Sequence, residues 1–145
     1  MRVIRRYVWN VVLIIATAQV VYFQSCQTRD ARFSQYYVQG QQLYVQYCSN
    51  CHQKDGTGLG LLYPPVSQSD FVDQRFSEVV CSMRMGLRGS IVVNGREYNQ
   101  PMPGIPYLTD LEVAEITTYI YNTWGRNRGL VTVEEVQRVF ATCTP

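Results

Sequence analysis

Cys48-Ser49-Asn50-Cys51-His52 places two thiols three positions apart with an imidazole immediately after the second, and His52 is the only histidine in the 145 residues. On one turn of helix, thiols at this spacing can add to the two vinyl groups of a haem while the adjacent imidazole swings beneath the macrocycle to ligate iron, so the pattern reads as a c-type haem attachment site. Two other chemistries use paired thiols. A thioredoxin-like dithiol belongs in a βαβ context, and no strand pattern precedes Cys48. A zinc site needs a fourth ligand; neither Cys81 nor Cys143 has a partner at ligand spacing, and there is no second His.

Iron held by His52 takes either a sixth protein ligand, which makes an electron carrier, or keeps an open position, which makes a gas-binding or peroxidatic site. With no second His, methionine is the candidate. Met83 and Met85 fall in a predicted helix, where methionine serves as core filler. Met102 stands between Pro101 and Pro103 in an otherwise polar loop, where the rigid flanks restrict the backbone and present the thioether at low ordering cost, so Met102 is the expected second axial ligand. A carbonyl at Pro64 or Pro65 is placed along the chain to receive the Nδ1 proton of His52 and so orient the imidazole, with Pro64 taken as the partner. The glycines at 56, 58 and 60 supply turning chemistry after His52. A phosphate-cradling loop is excluded, because no strand leads into them and their spacing does not match.

The elements that must position these groups follow from periodicity. From Ser34, the positions Tyr37, Gly40, Tyr44, Tyr47, Cys48 and Cys51 advance by three and four, which predicts an amphipathic helix delivering the thiols on its apolar face. Gly40 inside it costs a helix about 1 kcal/mol against alanine, and close approach by another backbone is the reading that accounts for it. Asp73 to Met85 reads as a second helix stopping at Gly86, and Ile91–Val93, Asn94-Gly95 and Arg96–Tyr98 as a short hairpin. Thr109-Asp-Leu-Glu112 is a capping box that opens a helix to about Asn122, and Thr132-Val-Glu-Glu135 repeats the device for a last helix carrying Cys143.

Ahead of all this, basic residues at Arg2, Arg5 and Arg6 precede an uncharged, mostly apolar run from Tyr7 to Phe23, the pattern of an export signal. Phe23-Gln24-Ser25-Cys26 resembles a lipoprotein cleavage site, with Phe where Leu is usual; its use would make Cys26 the lipid-bearing first residue of the mature chain. An uncleaved anchor helix and cleavage to a soluble carrier are the two alternatives. The expected organisation is a signal peptide over 1–25, a lipid-anchored tether over 26–33 and one domain over 34–145. The formal charge of +2 rests on 13 basic against 11 acidic residues, and loss of the three leader arginines turns it to about −1. That balance argues against nucleic acid as a partner. With Cys48, Cys51 and Cys26 assigned, Cys81 and Cys143 remain in an oxidising compartment. A disulfide between them would close a loop of about 62 residues and contribute roughly 4 kcal/mol in the chain-entropy model; two inert buried thiols are the alternative.

Taken together, residues 34 to about 125 resemble a bacterial class I (mono-haem, His/Met-ligated) cytochrome c. The resemblance rests on Cys48-Ser-Asn-Cys51-His52 after a helix with Gly40 and Tyr44, on Pro64-Pro65-Val66, on Met102-Pro103, and on Leu108-Thr-Asp through Trp124-Gly125. It implies an all-α fold, a small helical domain with one short β-hairpin and an extra C-terminal helix. In that fold the first helix crosses the one bearing Ile116 and Tyr119 at Gly40 and Tyr44. It further implies one covalent haem c attached outside the cytoplasm, on the periplasmic side. One-electron exchange with redox proteins or membrane respiratory or dehydrogenase complexes follows, with no small-molecule substrate. The tail beyond Gly129 exceeds what the resemblance explains.

Overall fold

Helix α1 runs without a break from Arg2 to Tyr47 and is followed by α2 (Ser49–His52), α3 (Asp70–Gln74), α4 (Phe76–Met85), strands β1 (Ile91–Val93) and β2 (Arg96–Tyr98), α5 (Asp110–Ile120) and α6 (Val133–Phe140). The computed structural model describes residues 2–143, leaving aside the side chains of 2, 3, 7, 18 and 20–30 in α1. Cys26, the expected lipid-bearing residue, lies outside the described side chains. The chain divides into two units, Met1–Ser34 and Gln35–Pro145. In the first, Ile4, Val8, Trp9 and Val11 through Ile15 are exposed. Among the described residues no helix is long and apolar enough to cross a membrane.

The second unit is built around α5, whose residues Val113 through Ile120 are all buried, so this helix is covered on every side. Its two buried threonines are satisfied locally: Thr117 donates to the Val113 carbonyl, and Thr118 exchanges hydrogen bonds with the backbone of Val131. The start of α5 carries the capping box read from the sequence, Glu112 N–H donating to Thr109 Oγ1 and Thr109 N–H to the Glu112 carboxylate. At α6 only half of that device forms. Thr132 Oγ1 accepts from Glu135 N–H, but the Glu135 carboxylate turns outward to Arg128 at 2.7 Å.

The expected helix over 73–85 is two helices. Ser69 caps α3 by accepting from Val72 N–H, and the chain leaves helical geometry at Arg75, with φ −123° and ψ 50°, before α4 begins. Arg75 stabilises the corner by pairing with Glu78 in the first turn of α4 and lying over the Phe71 ring. Val72 in α3 and Val79, Val80 and Met83 in α4 all reach the core. The end of α4 at Gly86 and the antiparallel hairpin, with Ile91 opposite Tyr98 and Val93 opposite Arg96, lie where the sequence places them. Asp70 and Asn94 exchange side-chain-to-backbone hydrogen bonds and fasten that hairpin to α3.

The residues Gln35–Tyr47 of α1 cross α5 at Gly40. A Cβ there would overlap the Glu115 carbonyl and stand 2.9 Å from Tyr119 Cβ, so only glycine allows this approach. One turn later Tyr44, fully buried, packs its ring 5.4 Å from Tyr119 and 5.5 Å from Trp124. Cys81 and Cys143 form a disulfide with Cα atoms 5.9 Å apart, joining α4 to the segment after α6.

Candidate haem site

The thiols do not ride on α1 itself. That helix ends at Tyr47, Cys48 forms a turn, and α2 carries Cys51 and His52. The two helices stay in step because the N–H groups of Cys51 and His52 both bond the Cys48 carbonyl. Tyr44 closes the corner by donating its hydroxyl to the Gln53 carbonyl at 2.9 Å. Burial raises the Tyr44 phenol above its usual range, so the O–H persists as a donor. Burial, and then nearby Cys51, push the Cys48 thiol up to about 12, which keeps it protonated at neutral pH and slow in disulfide exchange.

His52 Nδ1 lies 2.9 Å from the Pro64 carbonyl. A carbonyl can only accept, so Nδ1 carries the proton and Nε2 is left with its lone pair free. Burial holds the imidazole below its ordinary pKa, the Pro64 hydrogen bond acting in the opposite sense, and a neutral ring is the form that binds metal. The loop between the two is drawn tight by Gly58 N–H on the His52 carbonyl and by Val66 and Ser67 N–H on the Gly56 carbonyl. Arg126 reaches across from beyond α5 to the carbonyls of Val66 and Ser69 and holds the far end of the loop.

Cys48, Cys51, His52 and Pro64 all line one cavity of about 970 Å³, part of it open to solvent. Met102 lines the same cavity; Met85 does not and is half exposed. Met83 also reaches the wall, but it is buried in α4 and its sulfur lies 3.9 Å from the Thr117 hydroxyl oxygen. Most of the lining is aliphatic or aromatic. The sequence reading missed what the hairpin and α3 contribute: Ile91, Val93 and Tyr98 from the hairpin and Phe71 and Val72 from α3. The alternation of the hairpin strands carries a weak signal for this, since Val93 and Tyr98 are their buried members. Leu59, Leu61 and Leu62, just ahead of Tyr63 and Pro64 in the chain, are exposed.

These residues fit a haem. The wall suits a flat apolar ring, and two thiols and an imidazole whose Nε2 keeps its lone pair line it. Tyr98, the last residue of the hairpin and 5% exposed, contributes its ring to that wall, while the hydroxyls of Tyr44 and Tyr121 are bonded to backbone carbonyls elsewhere.

A helical domain that walls an apolar cavity and places two thiols and a preset imidazole at its edge is, by class, a covalent haem protein. Residues 37–120 match the family model described as cytochrome C oxidase, cbb3-type, subunit III. The chain is 30% identical over 111 residues to cytochrome c-552 of Thermus thermophilus, covering 70% of this chain and 84% of that protein. It is 27% identical over 110 residues to the cytochrome c subunit of a quinone alcohol dehydrogenase from Gluconobacter oxydans, spanning 73% of this chain and 23% of that subunit. The chain therefore belongs to the cytochrome c family of electron-transfer proteins, which carry covalently bound haem c.

Proposed function

We propose that this cytochrome is a membrane-tethered, His/Met-ligated carrier of the class I type. Its haem would be bound through Cys48 and Cys51, with His52 Nε2 and the Met102 sulfur on the two faces of the iron. The observation that carries this reading is the His52–Pro64 hydrogen bond at a cavity that Met102 also lines. Bound haem supplies a one-electron Fe(II)/Fe(III) couple. The rest is the work of this chain. Pro64 fixes the imidazole tautomer and raises its basicity. Met102 supplies a neutral thioether, and the apolar wall disfavours the additional positive charge of the ferric state, so both favour a fairly high potential. With His52 and Met102 both holding the iron, no position would be left on it for a substrate. The packed aromatic corner of Tyr44, Tyr119 and Trp124 limits rearrangement between oxidation states.

The ligand assignment is tested with Met102→Ala. The expected result is a haem still covalently attached, loss of the weak methionine-to-iron band of the oxidised protein and a markedly lower potential. The same losses in Met83→Ala, with Met102→Ala unchanged, would transfer the role to Met83.

The tether and partners belong to the same proposal. The basic start, the apolar run and Cys26 support attachment at a membrane on the periplasmic side, which raises the local concentration of membrane redox partners. The similarity to a subunit of a dehydrogenase favours a second form of this reading, in which the domain is a fixed component of a larger oxidoreductase. Affinity capture from solubilised membranes separates the two. A shuttle is recovered largely alone, and a subunit brings stoichiometric partners.

A further inference from the structure

The tail beyond Gly129 lies outside the family match, yet it is bound to the part of the fold that holds Met102. Five contacts make the connection. The Cys81–Cys143 disulfide joins α4 to the end of the tail. The Arg84 guanidinium, one turn further along α4, lies 4.1 Å from the centre of the Phe140 ring in α6. Its Nε donates to the Leu108 carbonyl at 2.8 Å and an Nη to Asp110 Oδ1 at 2.6 Å. The other Asp110 oxygen accepts from Gln137 of α6 at 2.9 Å. Arg84 thus ties α4, the start of α5 and α6 into one joint.

The methionine loop docks on that joint. Leu87 and Met102 exchange two backbone hydrogen bonds, both 2.9 Å, and Ile105 N–H donates to the Met83 carbonyl at 2.8 Å. Gly104 lies so close to the last turn of α4 that a Cβ there would overlap the Arg84 carbonyl and stand 2.6 Å from Gly86 N. The backbone at Met102 is therefore registered to Met83–Leu87, and those residues are registered to α6.

We infer that α6, locked by the Cys81–Cys143 disulfide and the Arg84 joint, is a brace that positions the Met102 sulfur on the iron. The inference rests on Met102 being the sixth ligand. A soft thioether holds ferric iron weakly, so the time it spends bound depends on how seldom its loop opens. Arg84, Cys81 and Cys143 are positioning residues in this scheme, since none of them lines the haem cavity.

The test is displacement of the methionine-to-iron band of the oxidised holoprotein by added imidazole at neutral pH. An exogenous ligand binds only the open form, so its apparent affinity rises in proportion to the open fraction. The paired change Cys81→Ala with Cys143→Ala, and Arg84→Ala alone, should each lower the imidazole concentration at half-displacement by roughly tenfold. Covalent haem content should stay the same. Unchanged half-displacement alongside a lower melting temperature would make the brace a general stabiliser and overturn the inference. Should the cysteine pair fail to yield holoprotein, Arg84→Ala, with its disulfide intact, decides alone. Failure of the ligand assignment is read separately, as survival of the band in Met102→Ala.

Discussion

At Gly40 a single hydrogen in place of a methyl decides whether α1 can reach α5. Gly40→Ala drives a Cβ into the Glu115 carbonyl, and neither helix can retreat without lifting Tyr44 off Tyr119 and Trp124. The expected cost is about 2–4 kcal/mol, typical of a severe clash in a packed core, measured by denaturant unfolding of the holoprotein. A loss under about 0.5 kcal/mol, the usual scale for exposed positions, would mean the crossing is looser than described. Gly40 was legible because a glycine amid a helical pattern is an anomaly that needs a packing reason. Tyr98 was not. Nothing in a strand of three residues says that its last side chain will turn into a cavity whose other walls come from distant segments.

Among the elements, α5 owes its start to charge and hydrogen bonding together. Hydrogen bonds from the backbone and hydroxyl of Thr109 hold the Glu112 carboxyl below its ordinary value of 4.5. Gln137 and then Arg84 do the same for Asp110. A carboxyl whose pKa is lowered by folding contributes stability that is complete above its unfolded value and drains away as pH falls through the folded one. The holoprotein should therefore lose stability on acidification below about pH 4.5, with Glu112→Gln flattening the fall as followed by denaturant midpoints. An unaltered pH dependence in Glu112→Gln would remove the capping box from the account. The box itself was readable from four residues. The break at Arg75 was not, because Asp73 to Met85 keeps its apolar period through the corner, and only the pairing of Arg75 with Glu78 and Phe71 shows where the chain turns.

For the whole molecule, the cysteines divide the work. The motif at Cys48 and Cys51 was legible as local chemistry, while the Cys81–Cys143 pairing could be reached only by counting thiols and considering the compartment. Treating the unfolded, unreduced holoprotein with a thiol reagent should reveal no reactive group at either Cys81 or Cys143. Two labelled sites there would show that the bond is not formed in the protein as isolated. The outline of the fold could be read because α5 and α6 announce their starts with threonine and α4 its end with glycine. The cavity could not, because it is assembled from α1 through α5, the hairpin and three loops, and sequence periodicity does not state which faces will meet.

The disulfide also closes a covalent ring, and Met102 lies inside it. Even when heat or denaturant dissolves every helix, that segment remains leashed at both ends, and the volume through which the sulfur proposed as iron ligand would search is smaller than in an open chain. The thiols that would carry the porphyrin sit outside the ring. Recapture of the methionine after unfolding should therefore be faster with the bridge intact than with it cut.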